Sequence, residues 1–415
     1  MICIIRLDRP QVKNSRMTVS KSSPSQAKKR PRFLRGAFRP FFLFGALWAA
    51  AAVLIWTAAF SGVPVLGGGI DPLSWHQHEM LFGFVGAAVI GFLLTAIANW
   101  TGRPLLGGTA LAVLVALWIA VRVTLVLDVG SFWLPLILEL ALFLAVAGFA
   151  AREVLASGNR NWPVVLIVAL VGVAAAIDLA EAGGTIADKD IGFRGGLALV
   201  IMLIGLIGGR IIPAFTRNWL MKEGAGPPLP VMASAGDMRV LGLTAITLLG
   251  WLVWPHAVVV GWLCLVAALA HLWRVARWQG WRTFADPLVV VLHLAYLWMP
   301  VGLGLLGLHL AFDLVSRSAA IHALAAGAMG LLILAVMSRA SLGHTGRPLK
   351  AGPGLTLAYG LVFAGALLRV LTAIGLFGGI WPIHLSAALW AGGFALFALL
   401  YLPILTRPRH DDPTL

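Results

Sequence analysis

The stretch His76-Gln-His-Glu-Met-Leu-Phe-Gly-Phe-Val-Gly-Ala-Ala-Val-Ile-Gly-Phe-Leu-Leu-Thr-Ala-Ile-Ala98 decides the fold class. Its 23 residues carry one formal charge, on Glu79. An α-helix rises about 1.5 Å per residue, so the stretch is long enough for the roughly 30 Å hydrocarbon layer of a bilayer. Read outward, the chain offers eleven more apolar runs of similar length: 38–60, 107–127, 131–151, 163–181, 193–213, 236–256, 258–277, 286–308, 318–339, 354–376 and 380–405. The break between the seventh and eighth runs rests on Trp254-Pro255-His256 alone. Of 415 residues, 60% are hydrophobic and 11% charged, against roughly 25% charged in soluble domains. The expectation is an all-α, polytopic membrane protein of twelve transmembrane helices, with the lipid bilayer as its solvent.

Charge orients the helices. Eleven of the 31 Lys and Arg residues fall in the first 39 positions, where Asp8 is the sole acid. With the N-terminus inside, the remaining basic residues fall in cytoplasmic loops and tails, apart from Arg122, Lys189, Arg194, Arg317 and Arg369. Such an asymmetry places both termini in the cytoplasm. It also explains the net charge of +15 as a topology signal, so no nucleic-acid partner is expected. The resulting organisation is a disordered basic tail over 1–36, one transmembrane domain over 37–406 and a short tail over 407–415. Trp75, Trp100, Trp162, Trp254, Trp281 and Trp381 fall at predicted helix ends, where an amphipathic ring sits between lipid and water.

Several chemistries are absent. Cys3 and Cys264 form no CxxC pair, and no Gly-rich phosphate loop, nucleophile elbow or HExxH zinc motif occurs.

The opening stretch has an echo in the tenth run. At a constant offset of 244, His78 matches His322, Gly83 matches Gly327 and Gly86 matches Gly330. Thr101-Gly-Arg-Pro-Leu105 then matches Thr345-Gly-Arg-Pro-Leu349. Both helices run inward, so the relation is parallel, and two histidines so placed can face each other across a planar ligand. Imidazole binds haem iron, copper and zinc, and polar groups inside lipid mark function. His76 and His78 diverge by about 200° on an ideal helix, so both reach one ion only through an irregular turn. His293 is a further imidazole in the inner half of the ninth run. Glu79 beside His78, Glu139 near the middle of the fourth run, and Asp178, Arg122 and Arg369 in the outer halves of their runs are the charges that fall within predicted spans. Two readings apply to them. They pair with one another, or the two arginines hold the propionates of a haem while Glu139 conducts protons.

Four blocks resemble the NnrS family: Phe38-Arg-Pro-Phe-Phe42, Trp75-His-Gln-His-Glu-Met-Leu-Phe-Gly83, Gly208-Gly-Arg-Ile-Ile-Pro213 and Gly343-His-Thr-Gly-Arg-Pro348. The resemblance implies a bacterial inner-membrane protein with haem and copper, linked to denitrification and to nitric oxide resistance. The matching histidines, not the resemblance, place expected cofactor binding at His78, His322 and Arg369, with metal ligands among His76, His78, His293 and His322; nitric oxide as a ligand is what the resemblance implies. A looser analogy to haem–copper oxidases, which carry haem-ligating histidines on helices two and ten, points to the same two spans. Those enzymes also use histidines of helices six and seven for copper. Here the sixth run has none, and the seventh has only terminal His256. The competing function is a twelve-helix secondary transporter without a redox cofactor.

Overall fold

The computed structural model describes residues 31–67, 69–128, 133–186 and 190–410. It contains twelve helices long and apolar enough to span a membrane. They are α1 (Phe38–Phe60), α2 (Pro72–Thr101), α3 (Thr109–Leu127), α4 (Trp133–Ala156), α5 (Trp162–Ala182), α6 (Ile191–Lys222), α7 (Ala235–Val253), α8 (Val258–Arg282), α9 (Pro287–Phe312), α10 (Arg317–His344), α11 (Pro353–Ala373) and α12 (Trp381–Thr406). No strand occurs among the described residues. The Trp254-Pro255-His256 turn does divide two spans. An even number of spans returns the chain to its starting side, called here the terminal face; the other end of the bundle is the distal face.

The spans form three arcs around a centre. α2, α6 and α10 touch one another, while α3–α5, α7–α9 and α11–α12–α1 bridge the gaps between them. The same three central spans each widen into a π-helical turn, at Glu79–Val85, Ile204–Gly208 and Ala323–Gly330. A π turn disturbs the regular backbone ladder, and in lipid a stranded carbonyl has no water to turn to. Each bulge has a side-chain donor from a neighbouring span. The indole of Trp118 donates to Gly83 O at 3.0 Å, the Arg274 guanidinium to Gly205 O at 2.8 Å, and the indole of Trp390 to Ala326 O at 3.1 Å.

Side-chain bonds to backbone carbonyls account for two of the four sequence blocks. A Cβ on Gly209 would stand 1.9 Å from Arg274 Nη2, so Gly209 clears space for that guanidinium, while a Cβ on Gly208 would stand 3.1 Å from the Tyr296 ring. Arg274 also bonds Asp237 and the Tyr296 hydroxyl, both at 2.8 Å. In the first block, buried Arg39 donates to the carbonyls of Leu405 (2.6 Å) and Arg407 (2.8 Å), closing the free C-terminal end of α12 onto α1.

Residues 1–30 of the expected N-terminal tail lie outside the described residues; beyond them Arg32–Leu34 forms a 3-10 turn, and the Phe33 ring lies edge-on to Phe44. At the other end residues 411–415 lie outside, while His410 N donates to Thr345 O. Trp162, Trp254, Trp281 and Trp381 are exposed at span ends as expected, but Trp75 is 1% exposed. It packs against Trp48 inside the bundle because α2 is a central span. α4 reaches Ala156 rather than stopping near 151, which leaves Glu139 in its second turn rather than near its middle.

Candidate functional site

Both echo helices start from caps at the distal face. Asp71 accepts from the backbone N–H of Leu73 and Ser74 and is followed by Pro72, while Ser316 accepts from Ala319 N. Within two turns each helix has delivered its histidines, immediately before its π turn.

A cavity opens between these helices. Its walls include Trp56 of α1, His76, Leu197 of α6, His322, Arg369 of α11 and Trp390 of α12, and its empty volume is about 940 Å³ with the mouth included. His322 Nδ1 lies 2.7 Å from the carbonyl oxygen of Ser318. A carbonyl only accepts, so Nδ1 carries the proton and Nε2 keeps its lone pair. The His76 ring stacks on Trp56 at 4.4 Å, and its buried Nδ1 has no hydrogen-bond partner. Arg369 donates from Nη2 to Ser318 Oγ at 3.1 Å, while its buried Nε has no hydrogen-bond partner. Two imidazoles with uncommitted nitrogens and one guanidinium thus share a mostly apolar chamber.

His78 is not among them. Its Nδ1 bonds Asp178 Oδ2 at 2.8 Å and its Nε2 lies 3.9 Å from Glu139 Oε2. Glu139 is in turn bonded by Arg122, whose Nε is 3.1 Å from Glu79 Oε2, and Trp48 Nε1 donates to Glu79 at 2.6 Å. Four spans, α2 to α5, therefore sink five ionisable groups into one network. The reading in which these charges pair with one another describes Arg122, Glu139, Glu79, His78 and Asp178. Arg369 alone of the two arginines faces the cavity.

The expected pairing of His78 with His322 across one ligand is not what the structure brings together; His76 faces the cavity in its place. The divergence of about 200° between positions 76 and 78 persists because the π turn begins at Glu79, after both. His293 sits apart, in the terminal half of α9. Its Nε2 lies 2.7 Å from Thr216 Oγ1, and a Cβ on Gly280 would press on its ring at 2.6 Å. Among the described residues no three His, Cys, Asp or Glu side chains converge to hold a metal ion. The side of α2 that reaches the cavity was not legible locally, since His76 and His78 are separated only by Gln77.

The donor set in the cavity fits a planar group with a metal at its centre and an acidic edge. Two imidazoles come from two neighbouring spans, the guanidinium stands beside them, and the remaining wall is mostly aliphatic and aromatic.

Fold and cavity together define a multi-pass helical membrane protein with a two-imidazole chamber near its distal face. The family described as NnrS protein matches residues 32–409, and the chain belongs to that family. A comparison with curated proteins finds no match.

Proposed function

We propose that this is a haem-binding protein of the bacterial inner membrane that contributes to nitric oxide resistance and denitrification-linked metabolism, with both termini in the cytoplasm. The observation that carries the reading is the chamber in which His76 and His322 present free ring nitrogens beside Arg369. His322 and His76 would hold the haem and Arg369 would meet its propionate edge. Bound haem would supply an iron centre at which nitric oxide can bind. The protein's own part is to fix the His322 tautomer through Ser318, to hold the His76 ring flat on Trp56, and to keep the chamber apolar. Copper, the second metal of the family resemblance, would find in this chamber the same two imidazoles, with the thioethers of Met80 and Met329 also on its walls.

The test is the absorption spectrum and metal content of the purified protein. A Soret band that shifts when nitric oxide is added supports the reading, and copper without a Soret band replaces haem by copper. A folded but colourless, metal-free protein that has been offered both haem and copper favours the secondary transporter.

A further inference from the structure

At the terminal face a second cavity lies between the ends of α2, α6 and α10 and the start of α1. Phe38, Phe42, Phe92, Trp100 and Phe215 give it aromatic walls. Four polar side chains line it as well: Thr95, Asn99, Arg339 and His344; the Thr95 hydroxyl is already engaged by Phe38 N and Gly91 O. The half-buried Arg339 guanidinium lies 4.0 Å over the Phe215 ring, with Asp286 and Tyr359 within electrostatic reach, and among the described residues it makes no hydrogen bond or close ion pair. The His344 ring rests against Phe38 at 5.3 Å, and Asn99 is exposed at the mouth. The Arg339 donors are therefore available to a guest that brings oxygen acceptors.

Behind this cavity lies a third one, walled entirely by apolar residues of α1, α2, α5, α6 and α10. It shares Phe42, Phe92, Ile211 and Val336 with the terminal cavity, and Val85 with the histidine chamber. A polar-edged compartment at the terminal face therefore adjoins an apolar compartment deeper in the bundle.

We propose that the terminal cavity binds the head ring of a lipid-soluble quinone, whose apolar chain occupies the central cavity. Arg339, His344 and Asn99 bond the ring oxygens, and the aromatic walls sandwich the ring plane. A phospholipid head would suit this place less well, because a phosphate favours several cations in a polar setting and Arg339 is the only permanent cation among the residues lining this cavity. The site does not depend on haem in the distal chamber and can be tested on protein that lacks it.

The experiment is equilibrium binding of decylubiquinone to the full-length protein in quinone-free nanodiscs, paired with photolabelling by an azido derivative of the same quinone. The expected result is saturable binding that raises the melting temperature, with label in residues 92–100 and 339–344. Arg339→Leu should weaken binding about tenfold or more and Asn99→Ala several-fold. Asn99 is exposed, so its variant decides the matter if Arg339→Leu does not fold. Absence of saturable binding, unchanged affinity in Asn99→Ala together with any folded Arg339→Leu, or displacement of the quinone by phosphatidylglycerol at lower concentration would each overturn the proposal.

Discussion

His78 and His322 stand at matching positions of two helices that share a pentapeptide, two glycines and a π turn, yet they have opposite fates. His78 is 1% exposed and is engaged by carboxylates from α4 and α5. His322 is tied only to its own helix, through Ser318, and faces a cavity. The repeat preserved the backbone: both π turns start one residue after the histidine and are pinned by an indole, Trp118 for α2 and Trp390 for α10. It also preserved close approach, since a Cβ on Gly83 would meet Glu79 and Arg122, and one on Gly327 would meet Trp298. What it did not preserve is the neighbourhood, because His78 meets acidic residues of α4 and α5 while among the described residues no carboxylate bonds His322. An internal echo reports the path of the chain; the spans packed around it set the chemistry.

Several measurements sharpen or break this contrast. The largest effect on stability should come from the α2–α5 side. Arg122→Ala leaves Glu79 and Glu139 buried without their cation, a loss of about 3–5 kcal/mol, read as a lowered unfolding midpoint. A stability change under ~1 kcal/mol would mean that the network is not a structural unit. The two indole pins come next. Trp118→Phe and Trp390→Phe each strand a carbonyl, at about 1–3 kcal/mol, and similar losses are expected if the two bulges are equivalent. Trp390→Phe should in addition disturb haem binding, because Trp390 lines the chamber and Trp118 does not. The smallest effect is expected from Ser318→Ala. It removes the hydroxyl that Arg369 bonds but leaves the carbonyl that holds His322, so it should cost on the order of 1 kcal/mol or less and retain haem.

The helical spans were almost wholly legible in the sequence, because twelve long apolar runs are what a bilayer requires of a chain that crosses it. The candidate site was legible only in part. His322, His76 and Arg369 were marked by residue type and location, but choosing between His76 and His78 needs the rotation of α2 about its axis, which depends on α4 and α5. The π turns left no local signal, since their pins lie 35, 69 and 64 residues away in sequence. The role of Gly209 becomes visible only with Arg274 in place.

Haem content of His76→Ala and His78→Ala, purified side by side and checked for folding, tests the central claim most directly. The account predicts that His78→Ala keeps its Soret band at a lower melting temperature, while His76→Ala loses most of its haem or shows an altered ligand spectrum. Loss of haem from folded His78→Ala with an unchanged spectrum in His76→Ala would contradict it.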